Sequence, residues 1–294
     1  MASLSGIWLP IITPFHEGEV DLVSYEQLLE HYIELGVGGI FPLGTTGESP
    51  TLDDAESEAI VERTLAVVAG RVPVFVGIGG NATAVVLRRL SRLDRYAFSG
   101  IVSVCPYYNR PTQDGLAAHF RKIAEATDRQ IVIYNIPYRT GVNLTNDTLL
   151  SLAEKDNVVG VKDSSGNIAQ SLELLCRRPP DFAVMTGEDN FYYTMLAHGA
   201  DGGILASAHL ATADFIAIHH RMRVNDHRGA LRLWSRLETL VPLLFREANP
   251  MPVKYCLWRQ GLLRSAECRL PLTQVSLQLA AELDRAMDLL WMEP

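Results

Sequence analysis

Four lysines occur in the chain, Lys122, Lys155, Lys162 and Lys254, and the remaining Lys/Arg cations are arginines. Lys162 alone closes an apolar run, Val158-Val-Gly-Val161. Alternation along a strand puts Lys162 on the face of Val158 and Gly160, with small Gly160 expected to leave room beneath it and Asp163 on the opposite face. An ammonium in that setting loses hydration, so its pKa falls from ~10.4. A fall to ~7.4 would correspond to ~4 kcal/mol of disfavoured charge. The neutral amine is a nucleophile suited to forming a Schiff base with a carbonyl. The competing reading is a strand-end lysine paired with a carboxylate such as Asp163.

Tyr134 ends the preceding strand-like run 28 residues earlier, at an equivalent height. On adjacent parallel strands the two ends reach one substrate, and the phenol can shuttle protons; alone, Tyr134 reads as a cap on the core. Gly44-Thr-Thr-Gly-Glu48 offers backbone N–H groups and two hydroxyls, a nest able to hold a carboxylate or phosphate, though Gly/Thr-rich turns are also common connectors. The glycines at 199–203 read as a tight turn into a strand more readily than as a phosphate grip. Neither a metal site nor a serine-nucleophile motif is found: the eight histidines are scattered, with no H-E-x-x-H or G-x-S-x-G.

Eight β-branched runs, at 7–13, 39–43, 72–77, 100–104, 130–135, 158–162, 182–186 and 202–206, must position these groups. Amphipathic stretches separate them, such as 22–35 with Leu28, Tyr32 and Leu35 at helical steps. Thr51-Leu-Asp-Asp54 resembles a capping box, and Thr145 is placed to cap a helix leading to Leu152. Strands alternating with helices imply parallel pairing with right-handed crossovers. Eight short units suit a closed (β/α)8 TIM barrel better than an open doubly wound sheet, and no G-x-G-x-x-G follows the first run. Such a barrel carries its reactive groups at the C-terminal ends of its strands, where Lys162, Tyr134 and the 44–48 loop fall.

Beyond the eighth unit the chain reads as helices. Ala230, Leu233, Leu237, Leu240 and Leu244 step helically with a kink expected at Pro242, and a last helix carries Leu279, Leu283, Met287 and Leu290. The expectation is one structural unit: a barrel over 1–225 with a C-terminal helical extension over 226–294 packed on it.

The 294 residues are 48% hydrophobic and 20% charged, a mix that fills a core. A net charge of −8 disfavours nucleic acid as a partner. No apolar run approaches the ~20 residues needed to span a bilayer, and the first residues lack the basic start and apolar stretch of a signal peptide. Cys105, Cys176, Cys256 and Cys268 are spaced for neither zinc nor a disulfide framework. A reducing cytoplasm is the expected location.

Taken in order, GTTGE at 44–48, PYYNRP at 106–111, YNIPYRTG at 134–141, GVKDSSGN at 160–167, NPMPVK at 249–254 and GLLRSAECRLPL at 261–272 closely resemble the dihydrodipicolinate synthase family. This family lies within the dihydrodipicolinate synthase/N-acetylneuraminate lyase superfamily of class I pyruvate aldolases, and the resemblance runs from Thr13 to the RLPL near residue 270. It implies a TIM barrel in which Lys162 forms the imine with pyruvate and Tyr134 relays protons. Thr46 would link Tyr134 to a second tyrosine, Tyr108, which reaches into a neighbouring subunit's site. Thr45, Thr46 and Gly47 would hold the pyruvate carboxylate, with Gly187 and Ile204 also lining the substrate site; the Ile204 carbonyl would face the lysine. Arg139 would bind the carboxylate of aspartate semialdehyde. The implied enzyme is a lyase of lysine and diaminopimelate biosynthesis, working without metal or organic cofactor as a homotetramer, a dimer of dimers. Arg139 favours the synthases over the sialic-acid lyases, while bulky Tyr138 leaves sugar-acid aldolases and dehydratases open. A non-catalytic pyruvate- or amino-acid-binding homologue fits less well, having no need of Lys162, Tyr134, Thr46 and Tyr108 together. Of the family's lysine feedback site, Ser49, Asn81 and Tyr107 match. Asp54, Ser57 and Val85 do not, and Val85 replaces a glutamate, so weak lysine inhibition is expected.

Overall fold

The computed structural model describes residues 4–292. In chain order the strands are β1 (Gly6–Leu9), β2 (Phe15–His16), β3 (Glu19–Val20), β4 (Gly39–Ile40), β5 (Phe75–Gly77), β6 (Gly100–Val104), β7 (Gln130–Asn135), β8 (Val158–Asp163), β9 (Ala183–Thr186) and β10 (Gly202–Ile204). All but β2 and β3 are parallel members of one eight-stranded sheet. With helices between them they are the elements of a (β/α)8 barrel.

Two compact units divide the described chain. One is Pro73–Ile204 with residues 4–5, and its strands run β10-β9-β8-β7-β6-β5. The register places Tyr134 of β7 directly beside Lys162 of β8, and Lys162 beside Met185 of β9. Buried Ile131, Val132, Ile133 and Val161 form the run beneath them. The other unit is Gly6–Val72 with residues 205–292. There β1 pairs with β4, Trp8 opposite Gly39, where a Cβ on the glycine would lie 2.5 Å from the indole.

Strands β6 and β7 fall where the sequence places them. Five others are shorter, and in three of them proline is the reason, because it cannot donate to the ladder. Pro10 stops β1 after Leu9, Pro42 cuts the 39–43 run short, and Pro73 delays β5. The β2–β3 hairpin was not expected from the sequence. Its two-residue turn, Glu17-Gly18, has positive φ at both positions (54° and 84°), the geometry that matches strand twist.

Helix Leu22–Glu34 buries Leu28, Leu29 and Tyr32 and is capped by Asp21, which accepts from Ser24 N. Leu35, expected on the apolar stripe, instead ends the helix and is exposed. The cap expected at Thr51 lies at Asp53: Glu56 N donates to Asp53 Oδ1 (2.8 Å) and Asp53 N to Glu56 Oε2 (3.0 Å), opening helix Asp54–Val68. Thr145 does cap Asn146–Leu152. After β10 come helices Thr212–Arg223, His227–Leu237, Leu240–Leu243, Met251–Arg259 and Leu277–Met292. Rather than kinking at Pro242, the chain breaks at Glu238–Thr239, one turn earlier, since Pro242 cannot bond the Glu238 carbonyl and crowds it. Leu279, Leu283, Met287 and Leu290 are buried as expected. Among the described residues no helix is long and apolar enough to cross a membrane.

Candidate active site

Lys162 and Tyr134 meet because neighbouring parallel strands bring equivalent positions to one face. The Lys162 Nζ lies 4.2 Å from the Tyr134 ring centroid, and both side chains are buried. Burial pushes the Lys162 amine down to about 8. Arg139 pushes in the same direction, while Asp189 and Glu188 oppose it. Asp163 faces away, accepting from Ser171 Oγ (2.5 Å) and Ser165 N (2.9 Å).

Space for the lysine comes from a different glycine than expected. A Cβ on Gly160 would lie 2.7 Å from the Ala183 carbonyl oxygen, so Gly160 serves the close approach of β8 and β9. The room around Lys162 is made by Gly187, whose added Cβ would sit 2.6 Å from Lys162 Cε and 2.8 Å from Cγ, and would strike Ser164 Oγ. Ser164, two residues beyond Lys162, is fully buried and its hydroxyl has no hydrogen-bond partner. Gly187 bonds Asp163 O through its N–H (2.8 Å), tying the end of β9 to β8.

Two carboxylates that the sequence reading passed over follow Gly187. Burial and the neighbouring Asp189 and Asp163 carboxylates raise Glu188 to about 7, against the pull of Lys162. Adjacent acids at a strand end were the available signal. Arg139 is exposed on the short helix Pro137–Thr140, its guanidinium carbon 5.7 Å from the centroid of the Tyr138 ring. Tyr108 is 90% exposed and holds φ at 74°, and its N–H reaches Thr140 O (3.4 Å). Ile204 is buried at the end of β10.

In the second unit the Gly44–Glu48 segment is a rigid turn. Gly47 N bonds Gly44 O (3.1 Å), Glu48 N bonds Thr45 O (3.0 Å), and Thr13 Oγ1 donates to Gly47 O (2.7 Å). Thr46 is buried and accepts from Asn249 Nδ2 at 3.0 Å, while Thr45 is half-buried. Glu48, in the left-handed region at φ 52°, pairs with Lys254 Nζ at 2.5 Å, and both side chains are wholly buried. Lys254 also donates to Glu267 O (2.8 Å) and stacks on Phe15, and Arg269 N donates to Glu48 Oε2 (3.0 Å). Asn249, Glu48 and Lys254 were not singled out from sequence as site residues, although their motifs were. Among the described residues no cluster of three or more His, Cys, Asp or Glu is placed to hold a metal ion.

A buried, partly deprotonated amine beside a phenol at the strand ends of an α/β barrel is equipped for covalent carbonyl chemistry. The chain belongs to the dihydrodipicolinate synthetase family, whose model matches residues 3–289. It is 48% identical over 282 residues to 4-hydroxy-tetrahydrodipicolinate synthase 2 of Clostridium acetobutylicum, covering 96% of this chain and 99% of that protein. It is 41% identical to the 4-hydroxy-tetrahydrodipicolinate synthase of Aromatoleum aromaticum, covering 93% and 94%. Among solved structures, dihydrodipicolinate synthase from Aquifex aeolicus superposes with a TM-score of 0.94 at 36% identity over 97% of both chains. A monomeric dihydrodipicolinate synthase variant gives a TM-score of 0.95 at 36% identity, covering 97% of this chain and 96% of that one.

Proposed function

We propose that this enzyme is a 4-hydroxy-tetrahydrodipicolinate synthase, a lyase that condenses pyruvate with L-aspartate 4-semialdehyde. The observation that carries the mechanism is the Lys162 amine, buried against the Tyr134 ring and lowered to about 8. The synthase relatives support the substrate pair. The neutral amine adds to the keto carbon of pyruvate, and the carbinolamine loses water to form an imine. Tyr134 and Thr46 carry the protons that addition and dehydration exchange. Loss of a methyl proton gives the enamine, whose carbon attacks the aldehyde. The amine of the second substrate then displaces Lys162 from the imine carbon, closing the ring and freeing the enzyme. Thr45, Thr46 and Gly47 receive the pyruvate carboxylate, Gly187 and Ile204 line its site, and Arg139 clamps the carboxylate of the aldehyde with its planar fork. No metal or organic cofactor enters these steps.

Tyr108, with its side chain almost entirely in solvent, fits a residue that completes a neighbouring subunit's site, and we infer a homotetramer of two dimers acting in the cytoplasm. Half-buried Val85, where related feedback sites carry a carboxylate, supports weak inhibition by lysine. The deciding experiment is borohydride reduction with pyruvate. A reduced pyruvyl adduct should appear on the peptide containing Lys162, and aspartate semialdehyde should outperform sugar-acid aldehydes in turnover. An adduct elsewhere, or none, overturns the covalent reading; preference for a sugar-acid aldehyde overturns the substrate.

A further inference from the structure

We propose that Asn249 is a positioning residue that fixes the hydrogen-bond polarity of Thr46, so that the Thr46 hydroxyl takes part in the reaction as a donor. The inference rests on the proposed role of Thr46 in proton transfer. A threonine hydroxyl has one proton and two lone pairs. Asn249 Nδ2 donates to Thr46 Oγ1 at 3.0 Å, so one lone pair is occupied and the proton must point away from Asn249. Both residues are buried, at 3% and 8% exposure, which keeps bulk water from scrambling that arrangement.

The surroundings hold both partners still. The Thr46 backbone lies within a turn closed by Gly47 N to Gly44 O (3.1 Å) and braced by Thr13 on Gly47 O (2.7 Å). Two residues on, Glu48 is gripped by Lys254 at 2.5 Å and by Arg269 N at 3.0 Å. Asn249 and Lys254 flank the first turn of one helix, Met251–Arg259, where Lys254 N bonds Pro250 O (2.9 Å). A single segment therefore contacts the turn twice, once at the Thr46 hydroxyl and once at the Glu48 carboxylate. The second contact fixes position and the first fixes direction.

Asn249→Asp tests the polarity, because it preserves shape while replacing a donor with an acceptor. At neutral pH the carboxylate would capture the Thr46 proton, and kcat should fall by about 10²–10³-fold, within the range for losing a proton-transfer group. Asn249→Ala leaves the hydroxyl free to turn and should cost only about tenfold. Pyruvate trapping by borohydride should still reach completion in both. A purely structural role predicts the opposite order, with the isosteric carboxylate milder than the truncation, and that result would overturn the proposal. Once protonated, the introduced carboxyl can donate, so kcat of Asn249→Asp relative to wild type should rise as pH falls, a limb absent from Asn249→Ala. Its absence would also count against the idea. If Asn249→Asp does not fold, a cycle decides: Asn249→Ala should cost nothing further in a Thr46→Val background, whereas additive losses refute the coupling. Wild-type enzyme that neither traps pyruvate nor condenses it removes the underlying mechanism instead, an outcome distinguishable from all of these.

Discussion

Gly187→Ala places one methyl group against the proposed nucleophile. Its Cβ would lie 2.6 Å from Lys162 Cε and 2.8 Å from Cγ, where ordinary contact begins near 3.4 Å, so the lysine must move by 0.6–0.8 Å. The Cγ cannot swing aside as a chain end could, and the route away is narrowed by Ser164 Oγ, which the methyl also strikes. A misplacement of about 1 Å costs on the order of 10²-fold in rate, equivalent to ~2.7 kcal/mol at 1.36 kcal/mol per tenfold. Overpacking should cost a further ~1–3 kcal/mol of stability. The assay is the rate of borohydride-trapped adduct formation at saturating pyruvate, read beside thermal unfolding. Gly160→Ala is the control. Its Cβ meets the backbone oxygen of Ala183 at 2.7 Å, so it should lose stability with a smaller loss in trapping rate. Trapping by Gly187→Ala at the wild-type rate, with normal turnover, would refute the claim that this glycine makes room for Lys162.

Lys162→Met should abolish trapping and raise the melting temperature near pH 7. Burial lowers the amine to about 8, so folding there disfavours the charged form it would carry unfolded; the gain should shrink as pH climbs from about 8 towards the unfolded value, and a destabilised variant at pH 7 would contradict this. Tyr134→Phe should lower kcat by about 10²–10⁴-fold while leaving equilibrium trapping intact, and a loss under tenfold in steady-state assays would return Tyr134 to a packing role. Lys254→Met strands the Glu48 carboxylate and should cost ~3–5 kcal/mol in denaturant unfolding, with much of that recovered in Glu48→Gln/Lys254→Met; equal losses in both would show that the pair is not the source. Glu188→Gln removes a charge that favours the Lys162 ammonium above about pH 7, so the acid limb of the trapping rate should move to lower pH, as checked by a pH–rate profile.

The barrel was legible because its signal is periodic: eight β-branched runs and the stretches between them survive errors of a few residues at each end. The ends themselves were misplaced where Pro10, Pro42 and Pro73 removed ladder donors, an effect visible residue by residue but outweighed by the apolar runs around them. Lys162 stood out from strand patterning alone, and its neighbour Tyr134 followed from parallel register. What the sequence could not convey was which side chains fill the space around the amine. Gly160 and Gly187 look alike in a string of letters, and only the placement of β9 assigns one to strand approach and the other to the lysine. Glu48 and Lys254 lie 206 positions apart, beyond any local rule, and a buried ion pair reads on paper as two unremarked charges.

The grip of the Met251–Arg259 helix on the 44–48 turn also bears on the order in which the chain is made. Thr46 emerges from the ribosome 203 residues before Asn249, and Glu48 emerges 221 residues before Arg269. At about 5–20 residues per second, the Glu48 carboxylate waits roughly 11–44 s for its last partner. Until then its charge favours water over burial, and the threonine turn lacks both the amide that donates to Thr46 and the ammonium that pairs with Glu48. A nascent chain holding every described strand is therefore still unfinished at its 44–48 turn, which settles only after the Met251–Arg259 helix and Arg269 have been made.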